Sequence, residues 1–319
     1  MKKGEFGLID FIKSHTTVPE GMVGIGDDCA IVKGEVFDTI FSTDMLLEGV
    51  HFLRTKASPE DVGWKSAAVN LSDIAAMGGK PTATFLSIAL PSDAQGEWAE
   101  RFVEGYAEIS RLYGAALLGG DTTSSLRDIA INVGVMGRCE SGKALLRSGA
   151  KVGDTIFVTG TLGDSGAGLK ALLADLDNSR KEVDYVVARH LRPTPRIEEG
   201  LALSRTGLVG AMMDISDGIA SDLGHILRAS GVGAEVEMTA LPLSTALERI
   251  CQSEGWDKYT LAASAGEDYE LLLSAPEEVA EMVDFPLYPI GKIVEGKAEI
   301  RWLKEGKEIE FNTMGFTHF

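Results

Sequence analysis

Residues 58–81, SPEDVGWKSAAVNLSDIAAMGGKP, constrain the fold more than any other stretch of this chain. Ser58 is placed to cap a helix, Pro59 fits its first position, and Asp61 complements the positive end of the first turn. Trp64, Ala67, Ala68, Leu71, Ile74 and Ala75 recur at helical spacing until Gly78, Gly79 and Pro81 stop the pattern. A helix so rich in Ala and Ser suits close backbone packing against a sheet. Apolar runs at 36–47 (VFDTIFSTDMLL) and 82–91 (TATFLSIALP) supply strands on either side of it. Asp73 lies opposite Trp64 on the helical wheel and is expected to face away from the packing stripe.

The remaining segments continue the alternation. A helix is expected from Gln95 to Tyr113, then a short strand, AALLGGD, that runs into glycines, then a strand at 128–138. A second unit starts with the strand GDTIFVTG, a Gly-rich loop and the helix LKALLADL. RHLRPTPR reads as a rigid, basic, Pro-punctuated loop. AMMDISDGIASDLGHILRASG reads as a strand or loop leading into a helix with Gly231 near its end, and GEDYELLLSAP returns to a strand. At 319 residues two domains are the better expectation. The fold class expected is α+β: two α/β domains, 1–140 and 141–319.

Composition narrows the function classes. The net charge of −18, from 30 Lys and Arg against 48 Asp and Glu, argues against nucleic acid held on a basic surface. Cys29, Cys139 and Cys251 are far apart with no CxxC, which fits neither a disulfide framework nor structural zinc and suits a reducing compartment. No apolar run approaches the ~18 residues that would span a membrane. Glu5 and Asp10 interrupt what would be the apolar region of a signal peptide, so a cytoplasmic protein is expected.

Two Gly-rich stretches invite a phosphate reading. GRCESGKA (137–144) begins like a Walker A loop, but Ala144 stands where a Ser or Thr should hold magnesium, and a Lys in a turn is the better reading. TGTLGDSGAGL (159–169) sits between strand and helix. It suits an anion at a helix N-terminus and a plain tight turn about equally.

The aspartates carry more. Asp27 and Asp28 lie in GIGDDCA, Asp44 follows Ser42 and Thr43 at the polar end of a strand, and Asp73 is on the small-residue helix. Asp121 ends LLGGD, and Asp214 and Asp217 frame MDISDG. On a helical turn, Asp214 and Asp217 would point the same way. Each alone is best explained as a cap or Asx-turn. Together they gather at strand ends and helix starts beside Gly, Ser and Thr, where loops collect on one rim of a sheet. Clustered carboxylates repel without cations, and the five histidines form no ligand-spaced group, so an all-oxygen site for several Mg²⁺ ions follows. From the residues alone this is a Mg-dependent enzyme of phosphate chemistry.

Nine segments in order, GIGDDCA, STDMLLEGVHF, NLSDIAAMGG, GGDTT, RSGAKVGD, VTGTLGDS, RHLRPTPR, MDISDG and GEDYELL, resemble the thiamine-monophosphate kinase family. That family lies in the ATP-binding superfamily of aminoimidazole-ribonucleotide synthetase and selenophosphate synthetase. The resemblance implies two α/β domains, a homodimer joined through its N-terminal sheets, and direct transfer of the γ-phosphoryl of ATP to thiamine monophosphate. It implies that Asp27, Ser42, Thr43, Asp44, Asp73, Asp121, Asp214 and Asp217 hold Mg²⁺, and that Gly120, Asp121, Arg147 and Ser216 contact ATP. His51, Glu267 and Phe316 match positions facing the acceptor. Many relatives carry Trp at the position of Phe316 and Ala at that of Cys29. A phosphate monoester has a second pKa near ~6, so it is already an anion at neutral pH and needs no general base. A cationic thiazolium would favour an acidic pocket, for which Glu267 is a candidate. The rivals are another ATP-dependent synthetase of the superfamily, a Mg-dependent phosphohydrolase and a non-catalytic nucleotide-binding protein. A selenophosphate synthetase would need a reactive Cys before GIGDD, and none is there.

Overall fold

The computed structural model describes residues 5–14 and 17–311. After α1 (Glu5–Ser14) come β1 (Met22–Val23), β2 (Ala30–Val32), β3 (Phe37–Leu47), α2 (Pro59–Ala76), β4 (Lys80–Leu90), α3 (Glu97–Tyr113), β5 (Ala116–Ser124) and β6 (Ala130–Glu140). Their strands form a six-stranded sheet in the order β1-β2-β3-β6-β4-β5. All neighbours are antiparallel except β4 and β5.

The second half runs through β7 (Thr155–Val158), α4 (Asp164–Leu173), α5 (Lys181–Leu191), α6 (Ile197–Thr206), β8 (Ala211–Asp214), α7 (Ile219–Ser230) and β9 (Gly233–Glu237). It continues with α8 (Thr245–Glu254), α9 (Lys258–Ser264), β10 (Leu271–Ala275), β11 (Tyr288–Val294), β12 (Ile300–Lys304) and β13 (Lys307–Ile309). Here seven strands lie in the order β13-β12-β9-β11-β7-β10-β8. Each sheet carries helices, as the α+β expectation requires.

The helix that opened the sequence argument is α2. Ser58 Oγ accepts the Asp61 N–H at 3.2 Å and the Asp61 carboxylate reaches back to the Ser58 N–H, a reciprocal capping box. Its small residues serve close approach. A Cβ on Gly63 would stand 2.0 Å from the Phe102 carbonyl oxygen of α3, and one on Gly200 of α6 would stand 2.3 Å from the Ala75 carbonyl oxygen. The expected single packing stripe is too narrow a description, because 14 of the 18 residues of α2 are buried. The helix lies between the first sheet and the second half, and one apolar core runs from Leu71 and Ile74 to Leu203, Met212 and Leu271.

RHLRPTPR differs from the loop expected. Arg189, His190 and Leu191 end α5, and the chain resumes helix at Ile197, so only 192–196 is loop. Arg189 and Arg196 turn inward to the buried Glu270, while Arg192 stays partly exposed with its guanidinium over the ring of Trp64, whose indole N–H donates to the Pro193 carbonyl at 2.8 Å.

Strand alternation sorts β3 into two faces. Ile40 and Leu46 are buried beneath α2, while Phe41 and Met45 are exposed on the opposite face. That open face extends across the sheet to Phe85 and to β5, which is exposed along its whole length.

Candidate active site

Four carboxylates meet where α2 passes between the halves. Asp28 comes from the turn before β2, Asp44 from the covered face of β3, Asp73 from the last turns of α2, and Asp214 from the end of β8. Asp28, Asp73 and Asp214 each offer an oxygen, and these atoms all lie within 4.8 Å of one another. Hydroxyls orient them: Ser42 Oγ donates to Asp73 Oδ2 at 2.5 Å and Ser72 Oγ to Asp214 Oδ2 at 2.5 Å. Arg147 Nη2 donates to Asp28 Oδ1 at 2.5 Å, while Asp28 Oδ2 is buried with no partner among the described residues.

Burial and mutual repulsion make these groups hard to ionise together. Burial, with the Asp28 charge nearby, pushes Asp44 up to about 6 and Asp214 up to about 7. Asp73 is raised well above the carboxylate range by burial and then by Asp44 and Asp214. An all-oxygen set, part of it orphaned and held close in a dry site, is the donor chemistry that a hard divalent cation takes. The residues therefore fit magnesium.

The other expected site residues separate into those that join this cluster and those that do not. Asp27 does not join it; its Oδ1 accepts the Arg147 backbone N–H at 2.7 Å, and its neighbour Asp28, whose side chain is 2 % exposed, turns inward instead. Nothing in the doublet DD tells which of two adjacent residues in a glycine turn faces the site. Thr43 lies between Ser42 and Asp44 and so takes the open face, where its Oγ1 accepts from Asn132 at 2.9 Å. Gly120 and Asp121 are on exposed β5, with Asp121 paired to Ser87, Ser87 to Asn132 and Asn132 to Met45. This row puts Asp121 on the open face with two strands between it and β3, away from its own chain's cluster.

Asp214 and Asp217 do not share a helical turn. Asp214 ends β8, the chain turns through 215–218, and α7 begins only at Ile219. The Asp217 N–H donates to the buried Asp222 carboxylate at 3.1 Å, and the Ser216 carbonyl accepts the Glu267 N–H at 2.7 Å. His51 Nδ1 accepts the Leu47 N–H at 2.9 Å. His51 and Glu267 both line an interdomain cleft of about 240 Å³, walled by Leu46, Phe52, Leu169 and Leu173. Phe316 lies outside the described residues. The sequence marks Asp28 beside Asp27 without choosing it as the metal ligand; Lys65 and His190 are invisible to spacing because only tertiary packing brings them to the cleft.

Neither Gly-rich stretch is free to hold phosphate. At the start of α4 the N–H groups of Gly163 and Ser165 donate to Asp268 at 2.6 and 3.2 Å, so the chain's own carboxyl group occupies those donors. In GRCESGKA, β6 continues to Glu140 and the Gly142 N–H is taken by Asp38 at 2.8 Å, with no helix following.

A second buried acid lies nearby. Glu270 is fully buried and meets Arg196 Nε at 2.7 Å, Arg196 Nη2 at 2.5 Å and Arg189 Nη2 at 2.8 Å, and it accepts from Thr159 Oγ1 at 2.8 Å. Its charge is matched by protein, unlike that of the aspartates.

Comparison with known proteins gives this geometry its context. The N-terminal domain of AIR synthase related proteins matches residues 26–139, and the C-terminal domain matches residues 151–304. Thiamine-monophosphate kinase of Escherichia coli (strain K12) is 40% identical over 332 residues, covering 100% of this chain and 99% of that protein. The Aquifex aeolicus enzyme of the same name is 39% identical over 316 residues, covering 99% and 98%. The chain belongs to the thiamine-monophosphate kinase family. A solved structure, AaThiL complexed with AMPPCP and TMP, superposes with a TM-score of 0.88 at 38% identity, covering 99% of this chain and 97% of that one. Within the family frame, Asp28, Asp44 and Asp73 fall in the N-terminal match and Asp214 in the C-terminal match. Arg147 belongs to the short connection between them.

Proposed function

We propose that this chain transfers the γ-phosphoryl group of ATP directly to thiamine monophosphate, giving thiamine diphosphate and ADP. The observation that carries the reading is the convergence of Asp28, Asp73 and Asp214 from both halves, in a chain 40% identical over its full length to a thiamine-monophosphate kinase. That the related AaThiL structure holds AMPPCP and TMP supports ATP and thiamine monophosphate as the substrates here.

Asp28, Asp44, Asp73 and Asp214 would hold Mg²⁺, several ions in all, with Asp27 and Asp217 at the margin. Bound there, magnesium neutralises phosphate charge and aligns donor with acceptor. The protein's own part is to set the geometry. Ser42 and Ser72 fix the carboxylate rotamers, and Arg147 is placed to exchange Asp28 for a phosphate oxygen. Burial under α2 excludes water that would otherwise compete as acceptor. No side chain is needed as a base, because the acceptor oxygen is already anionic near neutral pH. His51 and Glu267, with Phe316, would face the acceptor's rings.

A homodimer closed over the open face of the first sheet completes the proposal. Phe37, Met45, Phe85 and Leu118 are exposed there at 46, 55, 42 and 65%. Thr43 and Asp121, turned away from their own chain's carboxylates, would then serve nucleotide by facing a second copy, with Gly120 beside Asp121 on β5. We place the enzyme in the cytoplasm; no helix among the described residues is long and apolar enough to cross a membrane.

The test is incubation with ATP, magnesium and a panel of phosphomonoesters, with products separated by chromatography. Thiamine diphosphate formed in step with ADP is expected. Free phosphate alone would mean a phosphohydrolase, and a different phosphorylated product would mean another synthetase of the superfamily.

A further inference from the structure

Lys65 is a buried lysine to which the phosphoryl transfer proposed above gives no role. It projects from α2 with a side chain only 4% exposed, and its Nζ donates to Glu267 Oε2 at 3.0 Å. His190, at the end of α5, places Nδ1 3.4 Å from the same oxygen and 3.0 Å from Ser165 Oγ. Two helices from different halves thus converge on one oxygen of one carboxylate. The backbone adds to the constraint: Glu267 has φ +64°, in the left-handed region, and its N–H is tied to the Ser216 carbonyl at 2.7 Å. A side chain anchored at both ends holds one direction.

The charges decide what that direction is for. Burial favours the neutral Glu267 carboxyl, but the charge and hydrogen bond of Lys65, with His190 and His51 nearby, together hold the group below the usual carboxylate range. Burial also keeps His190 neutral, down to about 3. The pair of Lys65 and Glu267 therefore carries no net charge, which makes Glu267 a poor bare counter-ion for a thiazolium. It remains a good hydrogen-bond acceptor. Among the described residues nothing donates to its other oxygen, Oε1, and Glu267 lines the cleft between the leucines. This inference rests on the proposed acceptor, thiamine monophosphate. Of its two rings the thiazolium has no N–H to give, whereas the pyrimidine carries an exocyclic amine.

We infer that Lys65 and His190 are positioning residues that aim Glu267 Oε1 at the exocyclic amine of the aminopyrimidine, so that the cleft selects an amine over a carbonyl there. A carbonyl at that ring position would point its oxygen at a carboxylate that has nothing to donate. Sites built around a substrate N–H reject analogues lacking it far more strongly than apolar pockets reject a change of size.

The experiment compares wild-type kinetics on thiamine monophosphate and on oxythiamine monophosphate, in which an oxo group replaces the amine, at saturating ATP and magnesium. The expected result is a kcat/KM lower by about 10²-fold or more for the oxo compound. In Lys65→Met, KM for thiamine monophosphate should rise about tenfold with KM for ATP and kcat near wild type, the mark of lost ground-state binding, and discrimination should fall to a few-fold. Lys65→Arg, which keeps the cation, should recover part of it. A merely structural lysine would lower the yield of folded protein but leave the amine-to-oxo ratio intact. Equal use of both compounds by the wild type overturns the inference, and needs no variant to fold. Full discrimination in Lys65→Met overturns it as well. Absence of any turnover on thiamine monophosphate would instead overturn the kinase reading, and this inference with it.

Discussion

The aspartate cluster and the Glu270 site are both buried acids next to the interdomain seam, yet the protein treats them in opposite ways. Glu270 is met by two guanidinium groups and a threonine hydroxyl, so its charge is matched within the chain. Asp28, Asp73 and Asp214 crowd within 4.8 Å with Arg147 reaching Asp28 alone, and burial pushes Asp44 to about 6 and Asp214 to about 7. A buried ion pair that is complete on its own terms is architecture. A buried set of like charges is unfavourable as it stands and becomes favourable when cations enter. The contrast separates what holds the halves together from what the halves are held together for.

The contrast breaks first at catalysis. Asp214→Asn or Asp44→Asn should lower turnover by about 10²–10³-fold, as loss of a fixed electrostatic contact does, without lowering the unfolding temperature. Removing one like charge from the cluster relieves repulsion in the ion-free protein. Near-normal rates in both variants would place these carboxylates outside the chemistry.

Glu270→Ala should show the reverse. Leaving Arg189 and Arg196 uncompensated should cost about 3–5 kcal/mol of folding stability, read by denaturant unfolding. A change below 1 kcal/mol would mean that the arginines find other partners and that Glu270 is not the anchor described here.

Ligand linkage sharpens the comparison at smaller scale. Magnesium with a nonhydrolysable ATP analogue at 100 times its Kd should stabilise the wild type by about 2.7 kcal/mol. Glu270→Gln should keep that increment, whereas Asp214→Asn should lose most of it. An equal increment in both variants would remove the distinction.

Asp268 gives the smallest effect, because it stands between the two cases: among the described residues no cation pairs with it, but two backbone N–H groups do. Burial raises it from 3.8 to about 8, so between those values the folded chain keeps a proton that the unfolded chain has lost. Its contribution to stability is full below about 4 and declines as pH rises toward 8. Asp268→Asn should flatten that decline in a pH series of thermal unfolding curves. An unchanged slope would show that Asp268 is ionised in the native state throughout.

Much of this was legible in the letters wherever chemistry and local structure agree. Ser58, Pro59 and Asp61 announce α2, and the polar ends of apolar strands mark Asp44 and Asp214. Other features depend on geometry that spacing does not encode. Period-two alternation sends Thr43 to the opposite face from Ser42 and Asp44, although all three are adjacent in sequence. The glycine turn at 24–28 admits either Asp27 or Asp28, and only the packing of Arg147 against Asp28 decides between them. Asp121 has the right composition around it but lies across the sheet, because the β6 and β4 strands intervene between β3 and β5. The basic run RHLRPTPR looks like a surface loop because of its two prolines and three arginines; Glu270, 74 residues from Arg196, is what turns Arg189 and Arg196 inward. The strands β9, β11 and β12 escaped notice because charged or turn residues interrupt their apolar runs, as in GAEVE, YPIGKIV and IRWLK.

The most direct measurement is the stoichiometry of Mn²⁺, standing in for Mg²⁺, by electron paramagnetic resonance on wild type, Asp73→Asn and Asp214→Asn with a nonhydrolysable ATP analogue. More than one tightly held ion per wild-type chain is expected, with fewer in each variant although one substitution is in the N-terminal half and the other in the C-terminal half. Undiminished ion binding in both variants would contradict a site shared between the two halves.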